Sequence, residues 1–231
     1  MLGLFVHGIG RQRGHFADEA RSTLRDALSE RGEKCWLESC VYADIADRLQ
    51  DAMERRVERR GAAGGLFQRV STGVLADATM YVRSAPLRDA IYRRLDASWE
   101  HFGGAADRRV VLFAHSLGCL VTTDWLRLRP NVRPRALVTF GCNLELFTMG
   151  DRFDCPRQLA PGAASWTNVF YPRDGLGWPI GGSPGLAHVK DVKLEWELAR
   201  PSTWFGTAHN AYWGSEKLWG ELVPFWFSTT P

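Results

Sequence analysis

Five apolar residues in a row, Val110-Val-Leu-Phe-Ala114, run directly into His115-Ser116-Leu117-Gly118 and then into Cys119-Leu-Val-Thr-Thr. An apolar run without alternation fits a strand buried on both faces, which a parallel sheet covered by helices supplies and a one-sided sheet does not. The abrupt change of pattern predicts strand, sharp turn and helix. Similar β-prone runs occur at Leu2 to Val6, Cys35 to Tyr42, Ala136 to Phe140, Thr167 to Tyr171 and Val189 to Trp196. Between most of them lie helical stretches. Phe16 to Ser29 places Phe16, Ala20, Leu24 and Leu28 on one face and ends near Gly32, and Ser116 to Leu128 is bounded by Pro130. Tyr212 to Phe227 reads as a last helix broken near Pro224. The alternation predicts an α/β fold, a mostly parallel sheet flanked by helices, with residues 1–231 as a single domain.

Residues 44–102 carry more helix than one plain crossover needs. Leu49, Met53 and Val57 recur at four-residue spacing, then comes Gly61-Ala-Ala-Gly-Gly65, then an apolar segment from Leu66 to Val82. Two readings stay open. Gly61 to Ser84 and its flanks form a helical insertion capping a pocket, with Leu66, Phe67, Val70, Val74 and Leu75 turned inward, or they form an ordinary helical pair packed on the sheet.

Composition narrows the function classes. The 231 residues are 45% hydrophobic and 24% charged, enough apolar content for a substantial core. Basic residues number 29 and acidic ones 26, and the arginines are scattered, so nucleic acid is not an expected partner. The apolar run at Leu2 to Val6 is too short for a signal peptide or a membrane span and has no basic lead-in. Five cysteines with no CxxC or Cys/His cluster suggest neither a disulfide framework nor a zinc site. Reduced, buried thiols and a cytoplasmic location are the expectation, with no metal and no cofactor.

The chemistry concentrates in two glycine-bearing turns. In Ala114-His-Ser-Leu-Gly118 the small residues at 114 and 118 let the chain turn sharply around Ser116, lifting its hydroxyl above the sheet at a helix N-terminus. Such a serine acts as a nucleophile on a carbonyl and needs two N–H donors for the oxyanion. Leu117, the residue after it, is one candidate. The other is Ile9 in Val6-His-Gly-Ile-Gly10, directly after the first strand. A phosphate-binding turn is the competing reading of that loop, with Arg11 and Arg13 nearby, but neither G-x-G-x-x-G nor a Walker lysine is present.

A nucleophilic serine also needs a base and an acid, expected in the order serine, acid, histidine, each at the C-terminal end of a strand. His7 and His115 lie inside the turns, and His15 and His101 precede the serine. His188 falls before a strand, whereas His209 lies after it, in Thr207-Ala-His-Asn-Ala-Tyr-Trp213, so His209 is the candidate base. Asp174, in the turn-rich loop Tyr171-Pro-Arg-Asp-Gly-Leu-Gly-Trp178, is the candidate acid, with Asp154 behind it; Asp191 is expected to face solvent from within a strand. Trp178, Trp204 and Trp213 fall in or beside these loops, as pocket lining or as packing.

With these turns and Asp174 and His209, the chain resembles the α/β-hydrolase superfamily over nearly its whole length. It is similar to small bacterial lipases whose elbow reads A-H-S-x-G. The resemblance begins at the strand that usually comes third, implying an α/β-hydrolase fold lacking the first two strands. The long stretch at 44–102 departs from those lipases. What the resemblance implies is an esterase or lipase working without cofactor or metal on a small-molecule ester or lipid, with transient lipid-surface contact through the apolar segment. A thioesterase, acyltransferase or peptidase would use the same triad, and a non-catalytic binding relative is a further alternative.

Overall fold

The computed structural model describes residues 1–8, 15–45, 78–102, 110–144, 163–183, 185–195 and 205–227, with the backbone alone for 205–207. Six strands form one sheet: β1 (Leu2–Val6), β2 (Trp36–Cys40), β3 (Val110–His115), β4 (Ala136–Phe140), β5 (Trp166–Phe170) and β6 (Lys190–Lys193). Their spatial order is β2-β1-β3-β4-β5-β6, and every pairing is parallel. The strands expected from the sequence all form, with ends shifted by a few residues; β6 is the shortest of them.

Burial explains the apolar runs. All six residues of β3 and all five of β4 are buried. Successive side chains of a strand leave opposite faces, so Leu112 joins a core layer with Leu4, Leu95 and Trp125, while Phe113 joins one with Phe5, Leu24 and Trp219. Helices α2 (Ala85–His101) and α3 (Leu117–Leu128) cover the first face, and α1 (Asp18–Glu30) and the C-terminal helical segment cover the second. The edge strand β6, Lys-Asp-Val-Lys, is only partly covered, as its composition requires.

The helices start and stop for local reasons. Helix α1 buries Ala20, Leu24 and Leu28 and ends at Gly32, whose φ of 73° lets the Gly32 and Glu33 amides return to Ser29 and Leu28. Helix α2 is capped by the Ser84 hydroxyl, which accepts from the Leu87 amide, with proline in its first turn. At the C-terminus the chain forms α4 (Phe205–Asn210), a 3₁₀ turn (Ala211–Gly214), a π turn (Lys217–Leu222) and α5 (Val223–Phe227). The expected break near Pro224 falls elsewhere. The helix is interrupted at Ser215, and a wide π turn before Pro224 carries the helical path through the proline.

Of the long middle stretch, residues 46–77 lie outside the described residues, and with them Leu66, Phe67, Val70, Val74 and Leu75. Its described end is helical at 78–83 and sends Ala78 and Tyr81 into the α2/α3 core layer, so that end packs on the sheet. Helix α2 is the crossover from β2 to β3. No helix among the described residues is long and apolar enough to cross a membrane.

Strand order sets the place for a site. From β1 the chain crosses outward to β2, and from β3 it runs the other way through β4 to β6. Beyond the carboxyl ends of β1 and β3 the two connections diverge, opening the crevice in which open α/β sheets bind ligands. Register levels those ends: Val6 pairs with Ala114, and His115 pairs with Phe140.

Candidate active site

Ser116 sits at that switch point. It follows β3 at φ 56° and ψ −127°, the sole non-glycine residue with positive φ among the described residues, and it is the N-cap of α3. A backbone held there costs about 1–3 kcal/mol and persists only when its surroundings enforce it. Enforcement comes from glycine. A Cβ on Gly118 would lie 2.4 Å from the His7 carbonyl oxygen and 2.7 Å from that of Val6, so glycine alone lets α3 press against the end of β1. A Cβ on Gly8 would lie 2.6 Å from Ser116 Cβ. At Gly8 the chain therefore passes at atomic contact with the serine.

Three side chains named from the sequence meet here. Ser116 Oγ is 2.8 Å from His209 Nε2, and His209 Nδ1 is 2.9 Å from Asp174 Oδ2 and 3.0 Å from Oδ1. All three are buried, with Ser116 4%, Asp174 5% and His209 7% exposed. A carboxylate only accepts, so the His209 proton belongs on Nδ1, which leaves the Nε2 lone pair facing the serine hydroxyl. Asp174 comes from the loop after β5 and His209 from the end of α4, each at the carboxyl edge of the sheet.

The acid loop is itself anchored. Asp174 Oδ1 accepts from the Leu176 amide at 2.9 Å. A Cβ on Gly177 would lie 2.6 Å from Asp174 Oδ2 and 2.5 Å from the Gly141 Cα, so the loop folds flat against the end of β4. Asp191, expected to face solvent, instead accepts from the Ile180 amide at 3.0 Å, the Gly181 amide at 2.7 Å and Asn168 Nδ2 at 2.7 Å. Three donors on one carboxylate outweigh exposure at an edge strand, and they pin the far end of the Asp174 loop. Asp154 lies outside the described residues.

Two histidines inside the motifs turn out to brace the site. His7 Nε2 accepts from the Tyr42 amide at 3.1 Å, so Nδ1 carries the proton and donates to the Gly8 carbonyl at 2.6 Å. Burial holds the His7 pKa down at about 4, and its ring stacks on Tyr42 at 4.0 Å. His115 Nε2 donates to the His209 carbonyl at 2.7 Å, and burial holds this ring neutral, its pKa well below the usual histidine value. The sequence placed His115 in the turn without a role, because its partner lies 94 residues away. Tyr212, three residues after His209, was also missed: its hydroxyl donates to Asp174 Oδ2 at 2.9 Å.

Of the oxyanion candidates, Leu117 opens α3, where first-turn amides have no partner within the helix. Ile9 lies outside the described residues, directly after Gly8. Trp213 packs edge-on against His115 at 5.1 Å and Phe140 at 4.9 Å, which makes it a support for the His209 loop. Trp178 is half-buried, its amide directed at the Cys142 carbonyl, and Trp204 lies outside the described residues. Cys119, in the first turn of α3, donates its thiol to the Ala114 carbonyl at 3.2 Å, and burial pushes its pKa well up, so it stays a thiol. The chain matches no protein-family model and no curated protein.

Proposed function

We propose that the protein is a serine hydrolase of α/β-hydrolase type that cleaves carboxylic esters, as an esterase or lipase. One observation carries the reading: a buried serine strained to φ 56° whose Oγ lies 2.8 Å from a histidine, itself held through Nδ1 by a buried aspartate. Structural serines do not need that backbone, and structural histidines do not need that chain.

Each group then has one task. His209 Nε2 takes the Ser116 proton as Oγ bonds to the ester carbonyl carbon, while Asp174 keeps the ring oriented and stabilises the imidazolium. The Leu117 amide, with Ile9 as the expected second donor, stabilises the oxyanion at the positive end of α3. Collapse releases the alcohol with the proton returned from His209. Water, activated by the same base, then attacks the acyl group and frees Ser116.

Hydrolysis of p-nitrophenyl esters of graded chain length tests the reading, with Ser116→Ala as the control. The wild type is expected to hydrolyse at least one ester, and the variant to lose roughly three or more orders of magnitude in kcat while staying folded. Equal rates for the two proteins would overturn it. Thioester and peptide substrates in the same panel separate ester hydrolysis from other acyl transfers.

A further inference from the structure

We infer that Tyr212 is a positioning residue of this machinery, its hydroxyl locking the Asp174 carboxylate and so setting the basicity of His209; the inference rests on the serine-hydrolase reading above. The 3₁₀ turn Ala211–Gly214 follows α4 without a break, which brings His209 and Tyr212, three residues apart, to the same carboxylate. Oδ1 takes the Leu176 amide and Oδ2 takes the Tyr212 hydroxyl, both at 2.9 Å. One donor on each oxygen fixes the plane of the carboxylate, and His209 Nδ1 meets both oxygens at nearly equal distance.

The phenol is held in turn. It accepts from the Tyr171 amide at 2.9 Å, directly after β5, and the Trp219 indole donates to the Tyr212 carbonyl at 2.7 Å. Burial, reinforced by the Asp174 charge, pushes its pKa up, so the hydroxyl stays a donor at every pH the enzyme meets. The loop of the base and the loop of the acid are therefore joined by a hydrogen bond that carries no reacting proton.

A tyrosine bonded this way does more than pack. Each donor on a carboxylate draws off negative charge and makes it a weaker partner for imidazolium. The groups facing His209 are Asp174, Ser116 and the neutral His115; those facing Tyr212 are Asp174, Tyr171 at 4.6 Å between rings and His115 at 6.0 Å. Removing the phenol oxygen leaves Asp174 more basic and less fixed. His209 then holds its proton to higher pH, and the acid limb of the kcat/KM profile moves up.

Tyr212→Phe is expected to lower kcat on a p-nitrophenyl ester about ten-fold with KM unchanged, and to raise the acid limb by about half a pH unit. Titration of the His209 ring by NMR reads the same shift without turnover. Replacing Tyr212 alone by 3-fluorotyrosine, a stronger donor of nearly the same shape, is expected to move the His209 titration the opposite way. A His209 titration unchanged in the fluorotyrosine protein, or in a folded Tyr212→Phe, would overturn the inference. Should Tyr212→Phe fail to fold, the fluorotyrosine protein decides. The serine-hydrolase reading fails separately, if Ser116→Ala keeps wild-type activity.

Discussion

Asp174 and Asp124 each take a tyrosine hydroxyl, yet they sit in regions of different character. Asp124, on α3, accepts from Tyr81 at 3.1 Å and from Tyr92 at a short contact, with the two hydroxyls 2.8 Å apart and Arg127 on its other oxygen at 2.9 Å. Burial pushes both phenols up, so both remain protonated. The cluster ties residues 78–83 and α2 to the helix that Ser116 caps. Asp174 has a tyrosine too, but its remaining face meets a histidine that ends on a strained serine at the carboxyl edge of the sheet. The difference teaches that a half-buried aspartate with tyrosines is ordinary cross-bracing. What sets Asp174 apart is that one of its partners is a histidine whose second nitrogen lies 2.8 Å from the Ser116 hydroxyl, the arrangement on which the proposed hydrolase chemistry rests.

Asp174→Asn should break the contrast most severely. The amide can donate toward Nδ1 and so invites the tautomer with its lone pair in the wrong place, and kcat on the best p-nitrophenyl ester should fall roughly 10³- to 10⁴-fold with the melting temperature little changed. Loss of folding in place of activity would make Asp174 the same kind of brace as Asp124.

Acid should separate the two regions next. Folded His7 titrates near 4 against an ordinary 6.5, so below 6.5 the unfolded chain takes a proton that the folded chain refuses. Stability is therefore lost as pH falls from 6.5 toward 4, by up to about 3 kcal/mol. Buried His115 acts in the same direction, and both flank the serine, whereas the Asp124 cluster contains no histidine. Urea midpoints at pH 7 and 4.5 should show the drop, smaller in His7→Gln; an equal drop in that variant would remove His7 as the cause.

The smallest effect belongs to the bracing cluster. Tyr81→Phe removes one donor from a half-buried carboxylate and should cost about 1 kcal/mol in urea unfolding while leaving kcat unchanged. A fall in kcat would mean that α3 passes strain from Asp124 to Ser116.

The sequence was legible where one residue type dictates one environment. Buried parallel strands demand unbroken apolar runs, so β1, β3 and β4 were plain, and the turn after β3 demands small neighbours, so Ser116 stood out. Asp174 and His209 followed from order along the chain. What stayed hidden depends on partners in space: His115 and Tyr212 are ordinary letters until the fold supplies a carbonyl and a carboxylate, and Asp191 reads as an edge-strand charge until a loop lays its amides on it. The π turn before Pro224 has no pattern of its own, because local sequence does not count the residues in a widened turn.

The parallel sheet also governs when the site can exist. Ser116 and His209 are 93 residues apart, and His209 and Asp174 are 35 apart, because every carboxyl-edge loop is separated from the next by a crossover. No fragment ending before α4 holds all three groups. Long loops must close before any of these contacts stabilises the chain, so the Ser116–His209 contact depends on most of the sheet being in place. During synthesis, the chain therefore carries Ser116 without its histidine partner until the last 23 of its 231 residues are being added.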